Sequence, residues 1–134
     1  MLVWIDRALA QAIHERQLGE HGGIVGIRDE GLLDSALAKP QQLDAYGEPP
    51  PDLAALAASL AFDIARNHPF LDGNKRTAHV CYRVFLQLNG MRLQAEQEDK
   101  YLAMLQLAEG SWSEDEFAGW LRPRLYPLTR ISEP

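Results

Sequence analysis

Two apolar runs at helical spacing are separated by a proline, and this arrangement restricts the chain more than any other feature. Leu53, Leu56, Ala57, Leu60, Ala61 and Ile64 recur at i, i+3, i+4 and i+7, with Asp52 placed to cap the first turn. Ala78, Cys81, Val84, Phe85 and Leu88 form a second stripe that begins near Asn74 and stops at Asn89-Gly90. Val80, Tyr82 and Leu86 widen its apolar surface, as a central helix requires. Pro69 biases His68 away from the helical region, so the first helix must end by about Asn67 and the chain must cross a loop before helix resumes.

The other periodic segments are also helical. Ile5, Leu9, Ala12 and Ile13 share a spacing near the N-terminus, and Leu32, Leu33, Ala36 and Leu37 predict a shorter helix starting near Asp29. Between them "GEHGGIVGIR" reads as glycine-punctuated loop. Tyr101, Leu102, Leu105 and Ala108 predict a helix ending at Gly110, and Ser113 with Glu116 forms a capping box ahead of Phe117, Trp120 and Leu121, closed by Pro123. No run alternates with the period of a sheet and no fixed-length repeat is present, so the expected fold is all-α, a helical bundle. The exception is "KPQQLDAYGEPPPD", residues 39–52, whose prolines and Gly47 predict an extended loop or small hairpin. The tail over residues 124–134 is poorly specified.

With 134 residues, 46% of them hydrophobic, the chain is expected to form a single domain, 1–134. The lone Cys81 lies in a helical stripe, which excludes a disulfide framework or cysteine metal cluster and suits a reducing compartment. No leader is visible and "LAALAASLAF" is too short to span a bilayer, so the expected location is cytoplasmic, with no membrane partner. A net charge of −6 disfavours direct nucleic-acid binding, yet leaves room for a small cationic pocket holding one polyphosphate.

Residues 66–77 offer such a pocket. They place His68 and Asp72 beside a helix N-terminus, whose unpaired N–H groups and dipole favour an anion, and Gly73 permits close approach of a phosphate. Lys75 and Arg76 add positive charge. An imidazole of ordinary pKa, about 6.5, can take a proton from a hydroxyl, and a nearby carboxylate can hold magnesium on a phosphate. Taken singly, Asp72 or Asn74 reads as a helix cap, Lys75 and Arg76 as solvated charges and Phe70 as a core anchor. Together they suit transfer from a nucleotide to a hydroxyl, and spacing alone leaves open which phosphorus is attacked. His14 and His21 have no metal-ligand spacing, and Trp4, Trp112 and Trp120 read as packing residues.

His68, Phe70, Asp72, Gly73, Asn74 and Arg76 match the H-x-F-x-[DE]-G-N-x-R core of the Fic superfamily, and "NKRTA" at residues 74–78 resembles the Doc (death-on-curing) toxins within it. Residues 13–37 are similar to the N-terminal part of those toxins as well. The resemblance implies the Fic/Doc helical bundle, with a central helix bearing the motif and a short flap. It further implies His68 as general base, Asp72 as holder of Mg2+, and Gly73, Asn74, Lys75 and Arg76, with Arg66, as the nucleotide site.

His79 replaces the second arginine of the Fic R-x-x-R pattern and, with Arg83, is a candidate extension of the phosphate site; a solvated face is the alternative for both. Leu43, Asp44, Ala45 and Tyr46 fall where the superfamily has a target-docking flap. Doc toxins are understood to present the γ-phosphate of ATP and to phosphorylate a threonine of elongation factor Tu, and a Phd-type antitoxin restrains them through its C-terminal helix. Lys75, in place of a glycine, favours this kinase chemistry over adenylyl transfer. Fic-type AMP transfer and a catalytically degenerate binding protein are the rival readings. "TRISEP", residues 129–134, approaches the inhibitory [ST]-x-x-x-E-[GN] motif and is discounted because it ends in proline.

Overall fold

The computed structural model describes residues 1–128. Its elements are α1 (Arg7–His21), α2 (Glu30–Tyr46), α3 (Leu53–Asn67), α4 (Asn74–Leu88), β1 (Met91–Leu93), α5 (Gln97–Glu109), α6 (Glu114–Leu121), a 3-10 turn (Arg122–Arg124) and β2 (Leu125–Pro127). The all-α expectation holds, with one small addition: β1 and β2 pair antiparallel, Met91 opposite Pro127 and Leu93 opposite Leu125. The segment called "TRISEP" lies outside the described residues.

The helix enclosed on every side is α3, which packs against α2, α4, α5 and α6. Ala54, Ala57, Ala58, Ala61 and Ala65 are all buried along it, and such small side chains let neighbouring helices approach closely. Leu56, Leu60 and Ile64 fill the spaces between; truncating Leu60 to alanine would cost about 2–5 kcal/mol. The motif-bearing α4 packs against α3, α1, β1 and α5; it buries Thr77, Ala78, Cys81, Tyr82, Phe85 and Leu86, and Leu88 is exposed. Its other face borders the cavities described below.

Several expectations need correction. Residues 39–46 are not loop: α2 continues through Pro40 to Tyr46, and only residues 47–52 are irregular. Pro40 removes one helical hydrogen bond, at a cost of about 3 kcal/mol, yet Leu33, Ala36, Leu37 and Pro40 form a buried i, i+3, i+4, i+7 stripe that offsets it. The residues after Pro123 are specified as far as Pro127, because Arg124 donates to the Trp120 carbonyl at 2.7 Å, its guanidinium lies 4.8 Å from the Trp120 ring, and Leu125 packs inward. In α5 the buried residues are Ala103, Met104 and Leu107, while Tyr101 and Leu102 are exposed.

In α1 the buried face is Ala10, Ile13, His14, Gln17 and Leu18, and Ala12 is exposed. That face has helical period only if its two polar members are counted. Among the described residues no helix is long and apolar enough to cross a membrane.

Candidate active site

The crossing from α3 to α4 is built on two helix ends. His68, the C-cap of α3, adopts left-handed backbone with φ 52° and ψ 62°, so Pro69 does exclude the right-handed helix, though not in favour of extended chain. For a non-glycine residue this costs about 1–2 kcal/mol and must be held by its surroundings. Arg28 holds it: Nε donates to the His68 carbonyl and Nη2 to the Asn67 carbonyl, each at 2.6 Å. These are carbonyls that the helix itself leaves unpaired, at the negative end of its dipole.

The same segment is tied again through its backbone. The Arg28 N–H donates to the Pro69 carbonyl at 2.7 Å and the Leu71 N–H to the Gly26 carbonyl at 3.0 Å, on either side of a bridge between Ile27 and Phe70. Asn74 closes the loop from within, accepting from the Phe70 N–H at 2.9 Å and donating to the Phe70 carbonyl at 3.0 Å. The Phe70 ring is buried and stacks on His14, centroids 3.9 Å apart and planes 9° apart. Asn74 is therefore a staple of the loop, and its side chain is already used.

Asp72 lies partly buried just before α4. Its Oδ1 accepts from the Gly73 N–H at 2.9 Å and its Oδ2 from the Ile24 N–H at 3.3 Å. A Cβ on Gly23 would stand 2.9 Å from Oδ2, so only glycine leaves this carboxylate its space. Each oxygen keeps a further lone pair, and one carboxylate completed by water and phosphate oxygens is what Mg2+ accepts. The residues present fit that ion.

Gly73, with φ 71°, begins α4 in a conformation that favours glycine, and no side chain caps this helix. By contrast Asp6, Asp29, Asp52 and Ser113 cap α1, α2, α3 and α6. The first turn of α4 thus retains unpaired N–H groups and positive dipole, suited to an anion. A cavity of about 370 Å³ opens over it, lined by His68, Leu71, Asp72, Gly73, Asn74, Lys75 and Arg76. Lys75 is exposed, and Arg76 reaches the Gly22 carbonyl with Nη2 at 3.3 Å.

Lys75 and Arg76 also line a larger cavity of about 510 Å³ between α1, α4 and α5, with His79, Val80, Arg83, Tyr101 and Met104 among its walls. Burial, then the charges of Arg83 and Lys100, push His79 down to about 4, so it meets this space as a neutral imidazole. His79 and Arg83, the candidate extension of the phosphate site, line this larger cavity and not the one over the start of α4. The Nε of Arg83 donates to the His79 carbonyl at 2.9 Å.

Two other groups expected at the site are elsewhere. Arg66 lines neither cavity; its guanidinium lies over the Phe62 ring at 5.2 Å, beside Gly110. Leu43, Asp44, Ala45 and Tyr46 form the last turn of α2, and Leu43 borders a groove with Pro49, Pro50, Pro51 and Asp52 at the start of α3. His68 is at the other end of α3, whose 15 residues span about 22 Å. Residues 39–52, the expected flap, are thus helix as far as Tyr46 and lie at the end of α3 remote from His68.

The segment that does border the site is the α1–α2 connection, residues 22–29. Two of its glycines are set by contact: a Cβ on Gly23 would lie 2.6 Å from a Leu18 methyl carbon, and one on Gly26 would lie 2.8 Å from a Leu71 methyl carbon. Ile24, Val25 and Leu71 stay 64%, 68% and 49% exposed. Arg28 and His14 went unassigned in the sequence because nothing in local spacing reveals a partner 40 or 58 residues away. The three glycines flanking two exposed aliphatic residues were the available signal.

Residues 4–86 match the Fic/DOC family. The chain is 47% identical to Toxin Doc of Mycolicibacterium smegmatis over 79 residues, which are 56% of this chain and 58% of that protein. It is 35% identical to Protein kinase doc of Escherichia phage P1 over 82 residues, 61% of this chain and 64% of that protein. The chain thus spans less than two thirds of the length of either relative.

Proposed function

The chain belongs to the Fic/DOC family, and on that premise we propose that it is a Doc-type toxin kinase. It transfers the γ-phosphate of ATP to a threonine hydroxyl of elongation factor Tu in the cytoplasm, arresting translation, and a Phd-type antitoxin restrains it through a C-terminal helix. The observation that carries the reading is the cavity at the uncapped start of α4, where His68 and Asp72 flank a first turn bearing Lys75 and Arg76. The name of the phage relative, a protein kinase, supports phosphoryl transfer over adenylyl transfer.

The nucleoside occupies the larger cavity against Val80, Tyr101 and Met104, and its phosphates cross Lys75 and Arg76 toward the smaller one. The γ-phosphate meets the N–H groups of the first turn of α4, with Lys75 and Arg76 offsetting its charge. Asp72 would hold the Mg2+ that, when bound, neutralises charge on the phosphate oxygens. His68 accepts the proton of the acceptor hydroxyl as its oxygen bonds to the γ-phosphorus; the bond to the bridging oxygen breaks and ADP leaves. The acceptor lies along residues 22–26, with Ile24, Val25 and Leu71 as its apolar footing.

The test uses ATP labelled at the α- or the γ-phosphate with Mg2+ and elongation factor Tu. Label from γ alone supports the kinase, and label from α rejects it. Transfer to another protein and none to this factor overturns the target while keeping the chemistry. His68→Ala should lower transfer by about 10²- to 10⁴-fold in a folded protein.

A further inference from the structure

We infer that His14 is a positioning residue for Asp72, fixing the carboxylate that holds the divalent cation. The inference rests on the reading of Asp72 given above. His14 is only 2% exposed and stands on α1, outside the motif. Its Nε2 lies 2.8 Å from the Asp72 carbonyl oxygen. A carbonyl can only accept, so this nitrogen carries the proton. The ring is stacked on Phe70, whose backbone Asn74 pins on both sides, so donor and loop cannot drift apart independently.

Asp72 is consequently fixed at three atoms by three parts of the chain: its carbonyl by α1, Oδ1 by the start of α4 and Oδ2 by the α1–α2 connection. The two bonds to the carboxylate come from backbone N–H groups and set its rotamer, while the bond from His14 sets the peptide from which that rotamer is measured. Removing the donor leaves a part-buried carbonyl unpaired and frees the peptide between Asp72 and Gly73 to turn. The carboxylate then loses its aim without losing its charge. Outer partners of this kind typically alter metal affinity by about 10- to 100-fold.

His14→Phe keeps the stacking on Phe70 and removes the donor; His14→Gln restores a donor. With Mn2+ and ADP as the probe, ternary-complex affinity is read by water-proton relaxation in the parent, both variants and Asp72→Asn, alongside circular dichroism. The expected result is an affinity about tenfold lower or worse in folded His14→Phe, with most of it regained in His14→Gln. A folded His14→Phe that binds Mn2+ like the parent, while Asp72→Asn does not, overturns the inference and leaves the metal reading standing. Parent and Asp72→Asn binding alike overturns both. Should His14→Phe not fold, nitrogen NMR of the parent decides: a protonated Nε2 whose resonance moves when Mg2+ and ADP are added supports the role, and an unprotonated or unmoved one refutes it.

Discussion

Replacing Arg28 by methionine tests how the His68 backbone is held. Methionine keeps most of the apolar stem and removes the two guanidinium bonds to the Asn67 and His68 carbonyls. Both carbonyls can turn to water, since Asn67 and His68 are exposed, so the loss of global stability is set by two solvent-screened bonds, about 1–2 kcal/mol in all. What changes more is the local balance at His68. Its left-handed conformation costs about 1–2 kcal/mol, which without the clamp leaves it populated roughly 15% to 3% of the time at RT of about 0.59 kcal/mol. Transfer should therefore fall about 6- to 30-fold in kcat/KM, with a thermal midpoint lower by only a few degrees. The assay is steady-state label transfer from γ-labelled ATP beside a melting curve. A folded Arg28→Met within twofold of the parent would mean that Pro69 and the Phe70 staple hold His68 unaided, and the strain argument would fail.

Asn74→Ala should cost about 2 kcal/mol, one per hydrogen bond to Phe70, and reduce transfer along with it; Asn74→Asp, which can accept but not donate, should fall between, and denaturant titration orders the three. Lys75→Met should raise the KM for ATP by about tenfold, and transfer from α-labelled ATP by Lys75→Gly would show that the lysine selects the phosphate. Asp63 is 3% exposed, and burial raises its pKa despite the Lys39 ammonium 3.3 Å away. A raised carboxyl favours the folded state below its unfolded pKa, and that contribution is lost as pH climbs through the folded value. Asp63→Asn should therefore raise the thermal midpoint at neutral pH, with the gain vanishing as pH falls to about 4; an equal gain at every pH would refute the assignment.

Much of the fold was legible because its signals are local. The Leu53 stripe, the Asp52 cap and the Ser113–Glu116 capping box each lie within one or two turns, and each is present as read. The errors have physical causes. Three prolines at 49–51 drew residues 39–46 into the loop, although Pro40 itself completes a buried stripe. The stripe on α5 was read two residues out of phase because Tyr101 and Leu102 are apolar yet exposed. In the candidate site the cluster itself was legible, and His68, Asp72, Gly73, Asn74, Lys75 and Arg76 line one cavity. The residues that hold them were not: Arg28 and His14 act across the fold, and a polar residue on a buried helical face looks from sequence like a gap in the pattern.

The two helix ends at the site have opposite needs, and the α1–α2 connection serves both. At the end of α3 the unpaired carbonyls require a cation, which Arg28 supplies, and this frees His68 from any part in capping its own helix with its side chain. No side chain caps the start of α4, and the Asp72 carboxylate beside it is engaged by the Gly73 and Ile24 N–H groups; on the proposed function this open first turn is where the phosphate sits. Ile24 and Val25 are exposed on the same short segment that touches Asp72 and clamps His68, so on the proposed function an acceptor pressing on this segment would bear on both groups at once. Gly23 and Gly26 bring it close enough to do so, and a side chain at either would push the segment off the site.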